Sequence, residues 1–288
     1  MKVILSRKGF DSTHGGYPSP ILHNRKMISL PIPDYQICYY SYSDLQLDEE
    51  RTYFDLMHEL KPTISLNGKK KHLTINTRCH PDPDIYPWLP VRPEGWKPAL
   101  GQFKQSQSHL HNQHVDISDL FLFFGRFCTT QFVNEHYEFF PSIHQDFHAL
   151  FGYLQIGEIL SNEEFPAWLR NHPHAIDEYL LSNENNRIYV ASESLSWENR
   201  IPGAGTFFFN ENLKLTRNGT NNICEWNLPY DLFGNVSISY HPNPWRDGYF
   251  QSANIGQEFV IQDNVAVEDW AKTKIQVGLG DNLYQRWY

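Results

Sequence analysis

The sequence predicts an α+β fold: a mostly antiparallel sheet, or a partly closed barrel, with peripheral helices packed around it. Three observations carry this expectation. Aromatic side chains are abundant, 16 Tyr, 19 Phe and 8 Trp, while only 20% of residues are charged, a balance suited to sheets built on cross-strand aromatic pairs. Apolar runs of strand length recur along the chain, separated by turn residues. A few stretches of helical spacing lie between them. No linker, low-complexity tract or fixed-period repeat interrupts the chain, so residues 1–288 read as one compact unit.

Val3-Ile4-Leu5 opens the chain as a strand. Residues 27–33 read as a short strand entering a proline turn, and residues 37–42 alternate as another. Acids and apolar spacing over residues 45–60 predict an amphipathic helix, stopped by Pro62. Lys69-Lys70-Lys71 reads as a solvated turn. Alternation over residues 73–77 then predicts a strand that delivers His80, Asp82 and Asp84. Residues 87–98, rich in Pro and Trp, read as an ordered loop, and residues 100–111 as a helix with Gln102, Gln105 and His109 along one side. Residues 121–127 and 147–159 are apolar and form a buried antiparallel pair joined by a long aromatic-rich connection. Short helices are expected at 163–169 and 175–181, on either side of His172-Pro173-His174. Strand candidates at 188–190, 206–209, 214–216, 236–240 and 258–261 precede a last helix at 267–274.

Composition excludes several classes of function. The formal net charge of -9 argues against an extended duplex-binding surface, which draws its affinity from phosphate neutralisation. Cys38, Cys79, Cys128 and Cys224 are far apart and form no Cys-x-x-Cys pair, against a zinc ribbon. No secretory signal is evident, so reduced thiols in a cytoplasmic protein are expected. No apolar run approaches the length of a membrane span. Walker loop, Gly-x-Ser-x-Gly elbow and Pro-Cys-x-x-Cys deaminase signatures are missing, and Gly203-Ala204-Gly205 reads as a hairpin turn.

The densest polar cluster follows the first strand: Ser6, Arg7, Lys8, Gly9, Phe10, Asp11 and Ser12, then Gly15 and Gly16. Backbone amides turn loose where a strand ends, glycines let them converge on an anion, and Arg7 adds a planar fork for phosphate or carboxylate. A plainer reading is a glycine-rich hairpin in which Asp11 and Ser12 satisfy turn amides. His80, Asp82 and Asp84 share one face if the backbone between Pro81 and Pro83 stays extended. That trio suits acid/base chemistry or a divalent metal, and equally a proline-rich loop whose acids cap turns. The 14 histidines match no metal motif. His144 and His148 are spaced as a helical pair, His148 also precedes a buried strand from which it could reach a pocket, and His172 and His174, locked by the proline between them, are a similar but weaker case. Gln257 and Glu258, at a strand start, offer donors and acceptors for a base edge, or mark a bulge with a surface acid.

Ser6-Arg7-Lys8-Gly9-Phe10-Asp11-Ser12, with Gly15-Gly16 and Pro18-Ser19-Pro20, resembles the opening of the nucleotide modification associated domain family, third type. Further segments agree in order: His80-Pro81-Asp82-Pro83-Asp84, Gly101-Gln102 to His109-Leu110, Asp119 to Gly125, Phe151 to Gly157, and Gly256-Gln257-Glu258-Phe259-Val260. Ser118 departs from the pattern, which calls for glycine before Asp119-Leu120. The stretch from Asp119 to Gly125, paired with Phe151 to Ile159, also resembles the barrel signature of PUA-like domains, with a core over about 115–262. Phage or mobile-element settings and modification of a nucleobase in DNA or of a nucleotide are what the family resemblance implies. In that version Ser6, Arg7, Lys8, Ser12, Gly15, Gly16, Gln102, Gln257 and Glu258 bind a phosphate-bearing substrate. His80, Asp82, Asp84 and Asp11 supply the chemistry, with His109 and His148 as secondary participants. No cofactor is specified; a divalent metal, if used, falls to His80, Asp82 and Asp84. The rivals are a non-catalytic reader enclosing a modified base in an aromatic cage, and a metal-dependent nucleotide hydrolase.

Overall fold

The computed structural model describes residues 1–34, 39–86, 91–140, 146–253 and 258–280. Its centre is a nine-stranded mixed sheet. The strands of this sheet are β1 (Val3–Arg7), β2 (Ser19–Ile21), β3 (Ala99–Gln102), β4 (Leu120–Val133), β5 (His136–Phe139), β6 (Phe147–Ser161), β7 (Arg187–Ala191), β8 (Ala204–Thr206) and β9 (Glu258–Ile261). Their order is β9-β1-β4-β6-β7-β3, with β2 and β5 also paired to β4 and β8 to β6. Only β1 and β2 run parallel to β4; the remaining pairs are antiparallel.

β4 and β6 hold the sheet together because their sequences can be buried on both sides. Leu120 to Gly125 is buried throughout, with no alternation, the pattern of a strand covered on both faces. Phe121 and Phe123 stack at 6.1 Å, and Phe123 stacks on Phe151 of β6 at 6.1 Å. Each such fully buried side chain contributes roughly 1.5–3 kcal/mol. The long β6 shifts register between Leu150 and Gly152 and again between Ile156 and Glu158, so its first half pairs with β4 and its second with β7.

The sheet stays open: among the described residues no backbone ladder joins its two edge strands. The edges nonetheless meet through side chains, since Gln102 of β3 donates from Nε2 to Glu258 Oε1 of β9 at 2.6 Å. The expected antiparallel sheet is present, with two parallel pairs added and without the barrel's closure. The outer helices are α1 (Tyr53–Leu60), α2 (Lys104–Asn112), α3 (Pro173–Ile176), α4 (Glu178–Leu181), α5 (Tyr230–Phe233) and α6 (Val265–Leu279). α1 packs on β5, α2 on β9, α3 on β3, and α6 on β1 and β6.

Several local expectations shift for identifiable reasons. The helix expected over 45–60 starts only at Tyr53, where Thr52 and Asp55 form a reciprocal capping box. The lysine run is an exposed hairpin strand, Lys69–His72, and the strand expected over 73–77 is a turn. Thr74 and Thr77 close that turn on each other, the Thr74 amide donating to Thr77 Oγ1 at 2.8 Å. Leu100 to Gln102 belongs to β3 and not to the following helix, because pairing with β7 overrides the local helical spacing. Ser118, standing where glycine was expected, keeps the left-handed backbone at φ 73°. Among the described residues no helix is long and apolar enough to cross a membrane. Of the residues named in the expectations above, Ile37, Cys38, Pro87 to Pro90, His144, Gly256 and Gln257 lie outside the described residues.

Candidate functional site

One cavity of about 220 Å³ opens where β1 ends and β3 passes. Arg7 closes β1, and the Lys8 amide donates to Phe124 O at 2.9 Å, holding the chain to the sheet for one more residue. Gly9 then turns at φ 80°. A Cβ there would stand 2.6 Å from Ser29 Oγ, so glycine is required both by the conformation and by the packing. Asp11 faces the cavity, and its Oδ1 accepts the amides of Thr13 at 2.7 Å and His14 at 2.6 Å. Turn capping is therefore already one of its jobs.

His80 reaches the same cavity from a two-stranded ribbon, Ile32–Pro33 with Cys79–His80. The chain then runs along the outer edge of β3, where Asp84 and Ala99 exchange backbone hydrogen bonds of 2.8 and 3.1 Å. Asp82 lies between and satisfies the free edge of β3: its Oδ1 accepts the Gly101 amide at 2.7 Å. His172 Nε2 approaches the same oxygen at 3.4 Å. Opposite stands His174, at the start of α3, where His172 caps the helix and Pro173 occupies its first turn. His80 and His174 meet edge to face at 5.3 Å, and one ligand atom from each of His80, Asp82 and His174 lies within 4.8 Å of the other two.

These groups shift one another's protonation. Burial pushes Asp82 up, but His172 close beside it, and the charges of His174 and His172 when protonated and of Lys8, outweigh it and hold the carboxyl well below its usual range. Burial pushes His174 down to about 3, against the attraction of Asp82. Burial also lowers His80, with Asp82 and Asp34 opposing and His172 and Lys8 reinforcing. At neutral pH the cavity thus presents an ionised carboxylate beside two uncharged imidazoles.

The structure brings Arg7, Lys8, Asp11, His80, Asp82 and Gln102 to this one cavity. Glu258 lies just behind it, pairing with Lys8 Nζ at 3.0 Å and with Gln102. Asp84 does not line it. The alternation that would have put Asp84 beside His80 and Asp82 fails because its carboxylate pairs with Arg92: Arg92 Nη1 and Trp96 Nε1 donate to Oδ2 at 2.7 and 3.0 Å, and Arg92 Nη2 stands 2.6 Å from Oδ1. Ser6 is buried within the β1–β9 ladder opposite Glu258. Ser12, Gly15 and Gly16 also fall outside the lining, because the loop folds back and Gly15 pairs with Ser65. His109 turns away to Ser239 Oγ at 2.9 Å and stacks on Tyr240 at 4.4 Å.

His148 projects into the aromatic core and not into a pocket, accepting the Trp226 indole N–H at Nδ1 at 3.1 Å. Burial pushes its imidazole down to about 3, with Arg7 and Arg126 acting the same way. In the unfolded chain the ring gains its proton near pH 6.5. Between those values the unfolded state binds one more proton, so stability should fall on acidification by roughly 1.4 kcal/mol per pH unit from this group. Urea unfolding from pH 7 to 4 checks it. His148→Asn keeps an acceptor toward Trp226 and should lose this slope; equal slopes in both proteins would refute the assignment.

His172 and His174, which the sequence offers only as a weaker case than His148 of side chains reaching a pocket, are the residues it assigns no role in the site. Their signal was present: His172-Pro173-His174 repeats the polar-proline-polar pattern of His80-Pro81-Asp82. Nothing local connects two such segments ninety-odd positions apart. No curated protein and no solved structure matches this chain. The model of nucleotide modification associated domain 3 matches residues 2–262, so the chain belongs to that family and is tied by it to nucleotide modification.

Proposed function

We propose that this chain binds a nucleotide, or a base presented by DNA, in the cavity at the end of β1 and modifies it by acid–base chemistry. The observation that carries this reading is the placement of Arg7 and Lys8 on the same small cavity as His80, Asp82 and His174. Arg7 and Lys8 supply donors for a phosphate. Asp82 is an ionised carboxylate and the imidazoles are proton acceptors, the equipment for moving a proton at a base or sugar position. At about 220 Å³ the cavity is smaller than the roughly 300–1,000 Å³ of sites that enclose drug-sized ligands. It therefore encloses one moiety, a base or a phosphate, with the rest of the nucleotide at its mouth.

The reader alternative needs an aromatic cage, whereas Phe103 is the one carbocyclic ring among the described lining residues. That favours chemistry over passive enclosure. Arg7→Ala is expected to weaken binding of a nucleoside monophosphate by roughly 1.5–3 kcal/mol, the scale of a charge-assisted hydrogen bond, with the fold intact. Calorimetric titration of monophosphates, free bases, and plain and modified duplex over a salt series tests the whole reading. Unchanged affinity in Arg7→Ala would sink the phosphate assignment. Tight binding to plain duplex with a steep salt slope would replace the cavity with a basic face as the operative surface.

A further inference from the structure

We infer that His80, Asp82 and His174 form a binding site for one divalent first-row transition ion, with an open coordination position on the cavity they line. The inference rests on the reading of this cavity given above and revises one part of it: with an ion bound, His80, Asp82 and His174 are ligands, and proton acceptance falls to a group held at the open position. Two imidazoles and one carboxylate favour ions such as Zn²⁺ or Fe²⁺ over Mg²⁺ or Ca²⁺, which prefer oxygen ligands.

The hydrogen bonds behind each ligand orient it for this task. Asn186 Nδ2 donates to the His174 carbonyl at 2.9 Å and to Asn162 Oδ1 at 2.7 Å, which fixes Asn186 Oδ1 as an acceptor. The 2.7 Å contact from that oxygen to His174 Nδ1 must then be donated by the ring, leaving Nε2 with its lone pair. His172 Nδ1 accepts the His174 amide at 3.2 Å, so its ring proton sits on Nε2, which lies 3.4 Å from Asp82 Oδ1. With the Gly101 amide on that same oxygen, the ligand role passes to Oδ2. Backing of this kind is what metal-ligating side chains ordinarily have. The approach of His174 to the β3 backbone is equally specific: a Cβ at position 101 would fall 2.1 Å from His174 Cδ2 and 2.6 Å from Nε2.

Charge gives the site a reason to hold a cation. Arg7, Lys8, Asp11 and Asp82 line the cavity and Glu258 pairs with Lys8 behind it, so two formal positive charges stand among three negative ones. A divalent ion offsets this negative excess and makes the cavity more favourable to phosphate. The ion would also offer its open position to water or to a substrate oxygen.

The test uses the full chain, stripped with a chelator and dialysed, then titrated with Zn²⁺, with Co²⁺ as a spectroscopic probe, and with Mg²⁺. Expected are one Zn²⁺ per chain, Co²⁺ ligand-field bands, and no comparable response to Mg²⁺. His174→Ala and Asp82→Ala should each weaken Zn²⁺ binding at least 100-fold. Asn186→Ala, which leaves all three ligands in place, should weaken it about 10–100-fold. Asp84→Ala should leave it unchanged. Absence of Zn²⁺ and Co²⁺ binding to stripped protein with native circular dichroism overturns the inference, as does undiminished binding by folded His174→Ala. Monophosphate titration of the same samples separates the two readings. Metal binding without nucleotide binding, with or without Zn²⁺, defeats the proposed function alone; nucleotide binding by a protein that takes up no metal defeats this inference alone.

Discussion

Trp226→Ala is expected to lower the unfolding free energy by about 3–5 kcal/mol, the range for removing a large buried aromatic side chain. Trp226 is completely buried. It meets Phe124 edge to face at 5.0 Å and stacks on Phe250 at 5.9 Å, joining the centre of the main sheet to the outer strands Trp245–Arg246 and Tyr249–Gln251. Its indole N–H is also the described donor to His148 Nδ1. Truncation leaves that acceptor buried and unpaired, which by itself costs about 1–3 kcal/mol. Trp226→Phe separates the two contributions, because it keeps most of the packing and loses the donor. Urea unfolding should rank wild type above Trp226→Phe, and Trp226→Phe above Trp226→Ala. Equal stability of Trp226→Phe and wild type would remove the hydrogen bond from the account.

Gly101→Ala is expected to disable the cavity at modest cost to the fold. The added methyl collides with the His174 ring, at 2.3 Å from Cγ and 2.1 Å from Cδ2. Retreat is obstructed, since that ring is 2% exposed and tied to Asn186. Overpacking of this size costs about 1–3 kcal/mol, and the ring must leave its place between β3 and His80. Binding of a nucleoside monophosphate and of Zn²⁺ should each weaken at least ten-fold, with only a few degrees lost from the thermal midpoint. Wild-type affinity for both ligands in Gly101→Ala would show that His174 takes no part in the site.

The comparison of Asp84 with His174 shows how far the site was legible in the sequence. Arg7, Lys8, His80 and Asp82 were readable because each sits beside a local signal: the end of an apolar run, or a proline-stiffened segment. Asp84 carried the same signal and lies elsewhere, held by Arg92, an arginine eight residues on that the alternation argument did not weigh. His174 takes the place beside Asp82 only because α3 packs on β3. His148, expected just before the buried run Phe151 to Ile156, is itself a buried member of β6, drawn into the core by Trp226, 78 residues later.

By itself the sequence determined the α+β class, the buried pair β4 and β6, the strands β1, β7 and β9, and the last helix. Those elements follow from hydrophobic runs and periodicities that act over a few residues, and no distant partner competes with them. Tertiary structure alone decided that the sheet stays open and that its edges meet through Gln102 and Glu258. It also turned Leu100 to Gln102 from helix to strand, and gathered His80, Asp82 and His174 around one cavity. Each of those outcomes depends on which edge amide, guanidinium or ring a polar side chain finds across the fold, and burial makes an unsatisfied polar group costly enough for that distant partner to override the local pattern.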